Sequence, residues 1–202
     1  MQVVALAAVL ATATAVAEPP PPFSAGRTYF AGEKASGGAW LSFGVAGLGL
    51  GGGILDLDDG RAKGAAIPLL TLGAAHAAFG ITMLAVSDGR AEALDTAFAA
   101  DPVRAVRDEL ERMQRVDRLF LTIEIVELIC IVGGVAMAIA GGATDRPMLE
   151  GAGLGLSLEA AATLAIDLFA AARASRYLEA LEDQARRLGP PKPVTLRWST
   201  PF

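Results

Sequence analysis

Four apolar segments, each about 20 residues or longer, constrain this chain more than any other feature. They cover 38–57, 64–86, 119–141 and 149–172, and none contains an internal Lys or Arg. A helix needs about 20 such residues to cross a hydrocarbon core of about 30 Å. Composition agrees, with 53% apolar residues, 19% charged and a mean hydropathy of +0.46. The expected fold is therefore an all-α integral membrane helical bundle. A soluble Ala-rich bundle is the alternative, because Ala-rich core helices imitate weak spans.

The connections pair these segments. Asp56 to Arg61 turns a first hairpin over 38–87, and Gly141 to Pro147 turns a second over 119–172; both stretches are rich in helix breakers. Residues 88–118 read as an amphipathic extra-membrane helix. Within it, Asp101-Pro102 has the form of an N-cap followed by Pro at the first helical position. Val103, Val106, Leu110, Met113 and Val116 follow at helical spacing, so a helix starting at 102 is expected to run on into the third span. Residues 173–202 read as a helical extension with a Pro-rich tail, and 18–37 as a Pro/Gly-rich tail. A shift of 87 residues lays Asp58, Gly64 and Ala65 on Asp145, Gly151 and Ala152, and Glu92-Ala93-Leu94 on Glu179-Ala180-Leu181. This predicts a duplicated hairpin.

Residues 1–17 read as a signal peptide, with Ala15-Val16-Ala17 as a cleavage site before Glu18 and four prolines. A short membrane anchor is the alternative, giving five spans instead of four. The two readings disagree on orientation. Cleavage leaves the new N-terminus outside, whereas the two short turns hold just Arg61, Lys63 and Arg146 of the 17 cations. The positive-inside rule would put the cation-rich remainder in the cytoplasm.

Several functions are disfavoured. A net charge of −5 gives no broad basic surface, so no nucleic-acid partner is expected. One cysteine, Cys130, and one histidine, His76, supply neither a disulfide nor a His/Cys metal cage. Gly47 to Gly52 spells GxGxxG, but inside a helix-length apolar run rather than between a strand and a helix. No catalytic residues, cofactor or metal are expected, and no enzyme.

Two sets of residues stand out. Gly47/Gly51, Gly49/Gly53 and Gly151/Gly155 are GxxxG pairs, the spacing that lets helix backbones approach closely. Glu124, Glu127, Glu159 and Asp167 are carboxylates within the spans, and His76 lies mid-span. A mid-span carboxylate costs roughly 2.5–3.5 kcal/mol on insertion scales, and no span offers an internal cation. These five residues are the candidate proton or cation site. Trp40 reads as an interfacial anchor. The functional expectation is a structural or interaction protein of the bacterial inner membrane. Its partners would be the lipid bilayer and a second copy or another membrane protein docked on the extensions. The competing expectation is a proton- or cation-coupled transporter or channel subunit built on the carboxylates.

Overall fold

The computed structural model describes residues 24–189; the expected signal peptide and the Pro-rich C-terminal tail lie outside them. Four α-helices follow one another: α1 (Ser24–Leu55), α2 (Gly60–Ala100), α3 (Pro102–Ala143) and α4 (Pro147–Leu188). No strand occurs among the described residues. At 1.5 Å per residue, the 42 residues of α3 make a rod about 63 Å long, roughly twice the hydrocarbon thickness. All four helices are long and apolar enough to span a membrane. Outward-facing Leu121, Ile125, Ile129 and Val132 on α3, each more than half exposed, give the apolar surface that lipid requires and water penalises.

Each helix ends where the sequence supplies a reason. The Asp59 carboxylate accepts from the amides of Arg61 and Ala62, and the Asp101 carboxylate accepts from Arg104 N at 3.1 Å. Pro102 and Pro147 each open a helix at a position where a missing N–H costs nothing. Asp101 thus divides residues 88–118, expected as one amphipathic segment, into the end of α2 and the start of α3, with the helix start at 102 where the sequence put it. The tail expected over 18–37 also needs correction, because α1 begins at Ser24. Its glycines would weaken an isolated helix by about 1 kcal/mol each. Packing supplies the difference, since Tyr29, Phe30 and Glu33 are all buried there.

The backbones pack in the order α1–α2–α4–α3, and among the described residues α1 and α3 meet only through side chains at the end remote from the turns. Glycine makes the close seams. A Cβ on Gly44 or Gly80 would enter the backbone across the α1–α2 seam, at Gly73 and Ala77 or at Gly37 and Leu41. Gly134 and Gly153 do the same between α3 and α4. The hairpins join through α2 and α4, where Gly64 lies on the backbone of Met148 and Ala152, and Gly151 on that of Arg61. Gly155 leaves room for the ring of Pro68. Beside this contact Arg61 Nε meets Glu150 Oε2 at 2.7 Å, which accommodates the acid at the start of the fourth span. Gly47 and Gly51 also face α2, but Gly49 and Gly53 face open space with nothing within 4 Å. That pair has the spacing of a packing motif on the side of α1 that has no neighbouring helix.

At the opposite end, beyond the apolar segments, the hairpins are tied by an aromatic and charged cluster. Tyr29 of α1 stacks on Tyr177 of α4, with ring centroids 4.4 Å apart. Arg112 grips Glu109 with two hydrogen bonds of 2.7 and 2.6 Å and lies 5.6 Å from the centre of the Phe30 ring. The Tyr177 hydroxyl donates to Glu109 at 3.1 Å, and that of Tyr29 to Glu33 at 3.3 Å. Met113 and Leu181 fill the space beneath.

Burial, and next the Glu33 charge, pushes the Tyr29 phenol up to about 12; burial and Glu109 push Tyr177 in the same direction. An unfolded tyrosine ionises near pH 10, so the folded state holds these protons more tightly. Their stabilising contribution is present below about pH 10 and is lost as the pH rises toward 12 and beyond. These are the two tyrosines of the chain. Phenolate absorbance should therefore show no step near pH 10 and should appear with loss of helical circular dichroism at higher pH. A step near 10 in the folded protein would count against the buried stack. The glycine seam makes a separate prediction for thermal unfolding in detergent. Gly151→Ala should cost about 1–3 kcal/mol or more by overpacking, whereas Gly49→Ala should be neutral or slightly stabilising.

Candidate functional site

Between the glycine seam and the aromatic cluster the helices diverge and enclose a partly open cavity of about 850 Å³. All four helices contribute to its wall. Thr163 and Arg173 both line it from α4, ten residues apart, so it is about 15 Å long. It begins in the middle of the apolar segments and ends among the charged residues beyond them. Its wall is largely apolar, through residues such as Phe79, Met83, Leu119 and Ile123, with charged groups at the two ends.

Four of the five candidate residues form two pairs along the inner half of the cavity, His76 with Glu159 and Glu127 with Asp167, and Glu124 stands beside the second. His76 Nδ1 of α2 is 3.3 Å from Glu159 Oε1 of α4. The angles fall short of a hydrogen bond, so both atoms lack a partner of ideal geometry among the described residues. Glu159 lies over Gly47 of α1, where a Cβ would come to 3.7 Å from Oε1, an ordinary packing contact. Thr163 donates to the Glu159 backbone carbonyl at 2.9 Å and so leaves the carboxyl to His76. Trp40 and Phe43 hold the imidazole, with ring centroids 4.9 and 5.3 Å from it. Trp40 is thus buried inside the bundle and is not the interfacial anchor expected from its position near the end of a span.

Glu127 of α3 and Asp167 of α4 form a second pair, facing each other across the α3–α4 seam with half-buried Glu124 as their charged neighbour. Both are buried, and neither Glu127 oxygen attains hydrogen-bond geometry. Helical spacing explains the grouping. Glu124 and Glu127 are three apart, so they share one side of α3. His76, Glu127 and Asp167 all line the cavity, and Glu159 touches it through His76. Among the described residues, no three His, Cys, Asp or Glu side chains are grouped as metal ligands.

The outer end was not anticipated from the sequence. Glu33, Arg90, Glu109, Arg112 and Arg173 all line it. All five lie outside the four apolar segments, where a charged side chain carries no signal of burial. Burial of Tyr29, Phe30 and Tyr177 beside them is what turns them inward.

Compared with models of known families, with curated proteins and with solved structures, the chain matches none. The fold and site define an all-α bundle of four helices, each long and apolar enough to cross a membrane, with His76, Glu127 and Asp167 on the wall of a partly open cavity.

Glu159→Ala should destabilise the bundle by about 1–3 kcal/mol, because His76 loses its neighbour and a hole opens against Gly47. Glu159→Gln keeps the shape and a polar partner and should melt close to the wild type. Thermal unfolding of the two purified variants distinguishes them; equal losses would mean that the charge of Glu159, not its contact, holds the site.

Proposed function

We propose that this chain is a small multi-pass membrane transporter that admits an organic molecule to its cavity and exchanges protons at Glu127–Asp167 and His76–Glu159. One observation carries the reading: both titratable pairs meet at one cavity. A carboxyl pair and a carboxyl–imidazole pair can each hold one proton between two atoms, and either can release it when a ligand changes the local charge. A volume of about 850 Å³ lies within the range of small-molecule sites. On sequence alone a structural or docking role came first, because Glu124, Glu127 and Asp167 lie within about two turns of a span boundary, where a carboxylate costs less.

The proposal includes a duplicated hairpin. It is supported by the reciprocal contact in which Gly64 meets Met148 while Gly151 meets Arg61, since the 87-residue shift relates both members. Repeats of this kind place substrate sites between the halves in many transporters. A bacterial inner membrane is the proposed location, on the Ala/Gly-rich composition and signal-like start alone.

Proteoliposomes loaded with a pH-sensitive dye, given a pH step and offered small organic anions and cations in turn, test the reading. One class should collapse the gradient with the wild type, and Glu127→Gln should abolish the effect without unfolding the protein. Vesicles that hold their gradient against every class would overturn transport and return the docking role to first place. A partner copurifying in fixed ratio is the expected mark of that role.

A further inference from the structure

The outer end of the cavity is not electrically balanced. Arg112 is committed to Glu109 through two short hydrogen bonds. Arg90 stands 3.9 Å from Glu33, which already accepts from Tyr29. Arg173 has no ion-pair or hydrogen-bond partner among the described residues, although it lines the cavity and its Nε is buried. Its stem crosses α1 over Gly32, where a Cβ would lie 2.5 Å from Arg173 Cδ. The missing side chain at Gly32 therefore lets the guanidinium turn inward. A buried N–H without an acceptor costs about 1–3 kcal/mol, and more when the group is charged. A ligand anion would supply that acceptor.

Position specifies the rest of the ligand. Arg173 lies one residue beyond the fourth apolar segment, level with the membrane boundary. From there the cavity descends along Met83, Phe79, Leu119 and Ile123 toward Trp40, into the apolar half of the bundle. A cation at the boundary end of a cavity about 15 Å long, whose wall is largely apolar apart from Glu127, Asp167 and His76, is complementary to an amphipath of one anionic head and one extended tail.

Resting on the transport reading above, we infer that the cavity binds a single-headed amphipathic anion, its carboxylate or phosphate on Arg173 and its tail directed at Trp40. A free carboxylic acid and an anionic membrane lipid share this chemistry.

Trp40 provides the readout. The chain has two tryptophans, and Trp198→Phe leaves Trp40 as the sole tryptophan, excited selectively at about 295 nm away from the tyrosines. Bromine quenches tryptophan at short range, so ω-bromoundecanoate is added to this protein in phosphatidylcholine nanodiscs, with ω-bromoundecanol as the uncharged control. Saturable quenching by the acid is expected, with the alcohol binding about tenfold or more weakly. Arg173→Gln should reduce acid binding to the level of the alcohol and leave alcohol binding unchanged. Arg173→Lys, which keeps the charge but not the fork, should fall between them. Nanodiscs containing chain-brominated phosphatidylglycerol or phosphatidylcholine identify the source. Arg173-dependent quenching by phosphatidylglycerol alone assigns the site to membrane lipid, whereas quenching by the free acid alone assigns it to a soluble carboxylate. Equal binding of acid and alcohol, with no effect of Arg173→Gln in a folded variant, would overturn the anion site and leave proton exchange untouched. Failure of both acid and alcohol to quench Trp40 would overturn the inference through the cavity itself. The gradient assay with Glu127→Gln reads proton exchange separately.

Discussion

The bundle depends on two glycines meeting the backbone of the other hairpin. Gly64 and Gly151 let α2 and α4 approach so closely that a single added carbon on either would overlap a main-chain atom. In lipid, helices gain little from excluding apolar surface, because the surrounding chains are as apolar as leucine. Close backbone approach, with the dispersion it allows, is then the main source of attraction. The seam lies at the turn end of the bundle, and there is no counterpart between α1 and α3. With the hairpins closed at one end and separated toward the other, space between them follows as a geometric consequence.

The aromatic cluster decides how far they separate. Tyr29 and Tyr177 stack across the hairpins, while Arg112 and Glu109 neutralise one another beneath them. This end lies outside the apolar segments, so ordinary hydrophobic burial operates here as it does not in lipid. The two halves of the same helices are thus held by different forces. The cavity occupies the level at which one gives way to the other. That placement gives it a largely apolar wall with Glu127 and Asp167 along the inner half and an arginine-rich outer end. Glu150 meets the cation of Arg61 and Glu159 faces His76, whereas Glu127 and Asp167 face each other as two acids.

Much of the architecture was legible in the sequence because it follows from local chemistry. Asp101-Pro102 specifies a helix start whatever surrounds it, and α3 does run unbroken from Pro102 into the apolar segment. The three-residue spacing of Glu124 and Glu127 likewise puts them on one side of α3. Other features depended on neighbours that no local pattern reveals. Residues 24–37 looked like a tail because of their glycines, yet they are helical because Tyr29 and Phe30 find a core. Gly49 and Gly53 have the same spacing as Gly47 and Gly51, but they occupy the side of α1 that no other helix reaches. Trp40 sits near the end of an apolar segment in sequence and against His76 in space.

By itself, the sequence determined that the chain is helical, where its helices turn, and that each carries a stretch able to cross a membrane. These properties reside in apolar runs, caps and prolines within a few residues of one another. Tertiary structure alone decided which glycines became contacts, which acids found each other, and that Arg173 turns inward without a partner. Those outcomes depend on the rotation and separation of helices that are distant in the chain. Such quantities are set by backbone approach at a few points, not by any spacing along the sequence.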